Sequence, residues 1–172
     1  MIDIEKLANA LPVNDYGKGK AKSFQQLVDE IKNGETDIIW LDNRPIRLLR
    51  IVFLKVCYKD KILVEDRQEF PDGRVRYRGI EGISEKLLPQ EEPNKAVYRA
   101  LQEELGFQLE KLQNLSIKFL GQELSKKESP SYPGLESHYD IYKYEIYLSD
   151  NLYKPEYLEL YQDGQKTYFS WK

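Results

Sequence analysis

The chain has 172 residues, 41% hydrophobic and 32% charged, with 10 Gly and 8 Pro, which is the make-up of one globular domain and excludes collagen-like, low-complexity and fully disordered chains. Its 26 basic residues face 29 acidic ones, and the net charge of -3 argues against a dedicated nucleic-acid binder, whose affinity would come from an excess of Lys and Arg. One Cys and one His, Cys57 and His138, exclude an internal disulfide and leave too few ligands for a Cys/His zinc site. Cys57 lies in the apolar run Ile51 to Tyr58 and is expected to be a small core residue, since a reactive thiol needs an accessible, electropositive setting. No apolar run has the length of a membrane span, and the start Met1 to Lys6 lacks a signal peptide's basic and apolar regions, so no membrane partner and a cytoplasmic location are expected.

In chain order, the first third reads as a helical preface. Ser23 followed by Gln26 has the spacing of a capping box, Phe24, Leu27 and Ile31 recur at helical period, and Asn33-Gly34 supplies a stop, which predicts a helix over 24–32 after a loop from Pro12 to Lys22. From Asp37 the pattern becomes that of strands: Asp37 to Trp40, Ile46 to Tyr58 and Lys61 to Phe70. Asp72-Gly73 predicts a two-residue turn joining Glu65 to Phe70 with Arg74 to Arg78, which sets Glu69 opposite Arg76. An irregular stretch, Gly79 to Pro89, precedes a helix from Pro93 to Leu105, with Pro93 suited to the first helical position and Gly106 to the left-handed stop. Strands are expected at 114–122, 139–148 and 156–169, with a polar loop at 125–135. In the second of these strands Tyr142, Tyr144, Ile146 and Leu148 share one face, which is read as core. The order predicts an α+β fold, with residues 1–40 as an N-terminal helical extension and 41–172 as the main domain.

The helix 93–105 has two faces. Val97, Tyr98, Leu101 and Leu105 form the stripe that packs on a sheet, while Glu103 and Glu104 fall with Ala96 and Ala100 on another. Two neighbouring carboxylates repel unless a cation compensates, and Mg²⁺, which prefers hard oxygen ligands, is such a cation. The plainer alternative is a solvated acidic face.

The string from Arg99 to Phe107 (RALQEELGF), with Glu91 eight residues before Arg99, resembles the second half of the Nudix box, Gx5Ex7REUxEExGU with U a bulky apolar residue. Glu91, Arg99, Leu101, Glu103, Glu104, Gly106 and Phe107 match. The resemblance covers about residues 45 to 150 and implies a Nudix-like α/β/α sandwich around a mixed β-sheet. It also implies Mg²⁺- or Mn²⁺-dependent hydrolysis of a nucleoside diphosphate linked to another group. Two positions depart from the box: Glu85 stands where its glycine is expected, with Gly82 three residues early, and Ala100 replaces the first glutamate of the REUxEE segment. On this reading Glu103 and Glu104 hold the metal, and Arg99 orients the loop and Glu91 by an ion pair. The base that Ala100 cannot supply comes from elsewhere, with Glu92, Glu123 and Glu136 as candidates. A glutamate introduced at Ala100 is expected to be tolerated and to tighten metal binding.

Arg74, Arg76 and Arg78 alternate with Val75 and Tyr77, so a strand sets them on one face. From Arg44 to Ile80 ten basic residues outnumber five acidic ones, whereas from Glu81 to Glu110 seven acidic outnumber three basic. A basic hairpin beside an acidic helix suits a diphosphate with its divalent ion, because Arg forks match phosphate oxygens; ordinary cross-strand pairing is the competing reading. His138 is either a general base or a polar surface residue, and the loop Ser129 to Gly134 either covers a site or connects strands. The expected partner is a small nucleotide or another diphosphate, with a homodimer left open. Two function classes remain: a hydrolase, and a Nudix-like domain that keeps a ligand or protein contact without chemistry.

Overall fold

The computed structural model describes residues 2–172 and has the expected α+β class. Its helices are α1 (Ile4–Ala10), α2 (Phe24–Lys32), α3 (Pro93–Leu105) and α4 (Leu109–Leu112). Its strands are β1 (Asp37–Leu41), β2 (Arg44–Tyr58), β3 (Lys61–Glu69), β4 (Val75–Glu81), β5 (Ile83–Lys86), β6 (Ser116–Glu128), β7 (Glu136–Tyr147), β8 (Tyr157–Leu160) and β9 (Lys166–Trp171). Hydrogen-bonded neighbours run β6-β7-β2-β3-β9-β8, with β1 and β5 also on β2 and β4 on β3.

The best-specified helices form for local reasons. At α2 the Ser23 hydroxyl accepts from the Gln26 N–H at 3.2 Å, while the Gln26 side chain accepts from the Ser23 N–H at 2.8 Å, which satisfies two end groups reciprocally. In α3 Pro93 takes the first turn, where its missing N–H costs nothing, and Gly106 closes the helix at φ 68°.

The chain divides into two compact units. One comprises residues 1–51, 86–91 and 122–141; the other comprises 52–85, 92–121 and 142–172. In the first, Leu7, Leu11, Tyr16, Leu27, Ile38, Tyr132 and Leu135 form a buried cluster, so the helical preface shares a core with the segment 132–135. In the second, Leu54, Val56, Leu63, Val97, Leu101, Ile146 and Phe169 are among the residues with almost no exposed surface. Cys57 is buried as expected; of the face expected to be core, Tyr144, Ile146 and Leu148 are buried and Tyr142 is half-buried.

The first unit also buries charge. The Glu30 carboxylate on α2 pairs with Arg47 of β2, accepts from Lys22 Nζ at 2.7 Å and from the Tyr132 hydroxyl at 2.9 Å, and has Lys86 Nζ at 3.6 Å. The Arg47 guanidinium also lies 4.9 Å from the Tyr132 ring centroid. Burial alone would raise the Glu30 pKa, but the Lys22 hydrogen bond and the charges of Arg47, Lys86 and Lys22 outweigh it and hold the group at about 2.

Several expectations are corrected. The stretch 79–89 is not wholly irregular, because β4 runs on to Glu81 and β5 covers Ile83–Lys86. Strand β6 extends through Glu128, and the polar loop after it carries the fully buried Tyr132 and Leu135. The single strand expected over 156–169 is two, β8 and β9, turned back at Tyr161 to Gln165 with Gly164 at φ 89°. The hairpin turn is longer than two residues, since Phe70 N–H donates to Arg74 O and Gly73 N–H to Phe70 O. Glu69 therefore faces Val75, and Gln68 faces Arg76.

Removing the Glu30 carboxylate by Glu30→Ala leaves Arg47 buried and unpaired, and should lower stability by about 3 to 5 kcal/mol in urea unfolding. Tyr132→Phe, which removes one donor to a charged acceptor, should cost roughly 2 kcal/mol. Because the folded pKa of Glu30 lies below its unfolded value, its contribution is complete above about pH 4.5 and is lost as pH falls towards 2. That contribution amounts to about 3 kcal/mol. Glu30→Gln should accordingly flatten the acid limb of the stability profile.

Candidate metal and phosphate site

A bulge aims the first carboxylate of the site. On β9, Phe169 and Thr167 are two residues apart, share the buried face, and pair with Glu65 and Gln68 of β3, which are three apart. The extra residue is Asp66, where the register shifts. Without it, Glu65 and Gln68 would point to opposite sides of the sheet; with it, both point to the buried face. The same cross-strand row continues from Gln68 to Arg76 on β4 and from Thr167 to Glu159 on β8.

Helix α3 packs on β8 and brings Glu104 to this face. Burial is the main reason that the Glu104 carboxyl is raised far above the ordinary carboxylate range; next come a hydrogen bond with Glu159 and the charges of Glu159, Glu85 and Glu65. Glu159 is thus the carboxylate in hydrogen-bond contact with Glu104. The Tyr161 hydroxyl donates to the other Glu159 oxygen at 2.6 Å and is itself shifted up by burial and by that carboxylate. Glu65 is raised by burial, which the Arg78 guanidinium 3.0 Å away only partly offsets.

Four carboxylates thus come from four elements: Glu65 from β3, Glu85 from β5, Glu104 from α3 and Glu159 from β8. Arginines accompany two of them, since Arg99 Nη1 lies 3.4 Å from Glu85 and Arg78 holds Glu65. Among the described residues, no three acidic or histidine side chains stand close enough together to hold an ion as they are arranged.

The residues singled out from sequence fall in distinct settings. Glu103 does not share the surroundings of Glu104: its side chain is 54% exposed and pairs with Arg99 one turn earlier, at 3.1 Å. Glu91 accepts from the Leu88 N–H at 2.8 Å and so closes the turn that leads into α3. Arg74 lies before β4 and binds Asp72 in the hairpin turn at 2.6 Å. Arg78 binds Glu65, and Arg76 is exposed beside Gln68 with its charge felt at Glu65. Of the suggested bases, Glu92 caps the N-terminus of α3, about 18 Å along the axis from Glu104 at 1.5 Å per residue. Glu136 binds the His138 ring at 2.6 Å. Glu65, Glu85 and Glu159 were missed as site residues; the signal for the first and last lies in strand phase, which a bulge and an unpredicted turn obscure.

Ala100 requires a correction. It does not stand open between two exposed glutamates but is 0% exposed, as is Ala96 one turn earlier. Gly82, the nearest stand-in for the box glycine, takes φ +81°, and a Cβ there would come within 2.5 Å of the Leu54 carbonyl, so the strand beneath demands glycine.

No family model matches the chain, and no curated protein matches it. Among solved structures, a Deinococcus radiodurans protein, DR0079, is 17% identical at a TM-score of 0.42, over 72% of this chain and 65% of that one. The chain therefore spans less than two thirds of that protein. The Ap4A hydrolase of C. elegans is 15% identical at a TM-score of 0.39, over 72% of this chain and 79% of its own. The MutT protein of Bacillus halodurans is 17% identical at 0.35, over 72% and 67%.

Because the folded pKa of Glu104 lies above its unfolded value, stability should fall as pH rises from about 4.5 into the alkaline range. Glu104→Gln should remove that slope and raise metal-free stability at pH 8 by on the order of 1 kcal/mol, read from thermal melts across pH. Ala100→Glu, in contrast, should lower metal-free stability at pH 8 by about 2 to 4 kcal/mol, because it buries a carboxylate.

Proposed function

We propose that the chain is a Nudix-like hydrolase that cleaves a phosphoanhydride of a nucleoside diphosphate-linked substrate with a divalent cation. The observation that supports this reading above all is the setting of Glu104, which α3 carries onto a partly buried face where Glu159, Glu85 and Glu65 act on it and hold its carboxyl above the ordinary range. The carboxylates on this face outnumber the two arginines beside them, and an all-oxygen donor set suits Mg²⁺ or Mn²⁺. Glu104 and Glu159 would hold the ion, with Glu85 and Glu65 as further donors and Glu103 at the rim. A bound ion there supplies charge neutralisation at a phosphoryl oxygen and acidifies a water.

The chain's own groups account for the rest. Arg76, exposed in the same cross-strand row as Glu159, binds a phosphate oxygen, and Arg78 and Arg74 extend the positive edge of the hairpin. Arg99 fixes Glu85, and Tyr161 fixes the rotamer of Glu159. Glu91 shapes the turn before α3.

A second reading, a nucleotide-binding domain without chemistry, is favoured by the buried methyl of Ala100, which leaves the helix one carboxylate short.

Calorimetric titration with Mn²⁺ should show binding that releases a proton, because the ion displaces the one held on Glu104. Glu104→Gln should weaken binding at least tenfold. With nucleotide sugars, dinucleotides and nucleoside triphosphates as substrates, turnover abolished by Glu104→Gln supports hydrolysis. Nucleotide-dependent thermal stabilisation without product identifies the binding module, and neither metal binding nor turnover overturns the proposal.

A further inference from the structure

A cavity of about 680 Å³ lies wholly within the first unit and shares no residue with the carboxylate cluster. Its walls come from the end of α2, the start of β1, the middle of β2, the turn Leu87 to Gln90, and facing segments of β6 and β7. The volume is that of a site for a small organic molecule, and the lining is mostly apolar, as such sites are. Two large apolar residues in this lining remain open to solvent, Leu88 at 48% and Leu124 at 77% exposure, whereas Leu87 beside them is buried.

Polar groups in the lining show which chemistry would complement it. The acidic ones are already engaged by the chain: Asp37 accepts from the Ile38 N–H at 2.9 Å, Asp140 from the Gln122 amide, and Glu35 from Asn33 with Lys86 Nζ at 3.7 Å. Arg50, which also donates to the Glu91 carbonyl at 3.4 Å, and Lys126 bring positive charge to the same lining, and the His138 ring stands among them, held by Glu136.

We propose that this cavity binds an organic anion with an apolar or aromatic body, the body lying against Ile31, Leu87, Leu88 and Leu124 and the anionic group facing Arg50 and Lys126. The hydrophobic wall supplies most of the affinity and the cations select the charge. The site is independent of the hydrolase reading.

The probe is 1-anilinonaphthalene-8-sulfonate, added to the full chain under native conditions. Saturable 1:1 binding is expected, with amide chemical-shift changes concentrated at residues 87–90 and 138–140. Leu88→Glu and Lys126→Glu alter exposed positions and should each weaken binding at least fivefold at an unchanged melting temperature. N-phenyl-1-naphthylamine, which has the same rings without the sulfonate, should bind at least fivefold more weakly. Absence of saturable binding, equal binding by both variants, shift changes confined to other residues, or equal affinity for the uncharged rings would overturn the proposal.

Discussion

Burial and the charges of Glu159, Glu85 and Glu65 oppose an ionised Glu104, and this constraint bears on every group around it in the second unit. A proton retained on Glu104 relieves it. The neighbouring ion pairs, Arg78 with Glu65 and Arg99 with Glu85, limit how much negative charge accumulates and prevent the face from repelling itself apart. The cluster is thereby tolerable to the fold and still short of positive charge, a condition that stability alone would not favour.

The first unit handles buried charge in the opposite way. Glu30 is surrounded by Arg47, Lys22, Lys86 and the Tyr132 hydroxyl, and its pKa falls where that of Glu104 rises. The same residue type ends as a firm anion in one place and a proton holder in the other. At Glu30 the surrounding cations outweigh burial, whereas at Glu104 the neighbouring carboxylates add to it. Glu30 serves cohesion, drawing α2, β2 and the loop around Tyr132 together, whereas Glu104 is held in a costly state with no structural return.

Helices α2 and α3 were legible because their ends are written locally, in Ser23 with Gln26 and in Pro93 with Gly106. The motif spacing from Glu91 to Phe107 similarly pointed to Glu104. The remainder of the site depends on phase between strands, which a bulge resets without any marker in composition. Asp66 is one such reset, and it turns Glu65 inward. The hairpin register failed by one residue because Asp72-Gly73 sits inside a longer turn, and that slip exchanges the neighbours of Arg76. Tyr132 and Leu135 looked like parts of a polar connection because their burial comes from α1 and α2, far away in the chain.

The alternation of the two units along the chain bears on how the protein is made. The polypeptide passes from one unit to the other after residues 51, 85, 91, 121 and 141. During synthesis the first unit cannot close until residue 141 has emerged, and the second must wait for the C-terminal strand. Early segments such as α1 and α2, whose core partners Tyr132 and Leu135 come more than a hundred residues later, stay incompletely covered in the meantime. No single cut releases either unit intact, so a nick in one of the connecting stretches, or a truncation at either end, removes support from a core assembled from distant parts of the chain.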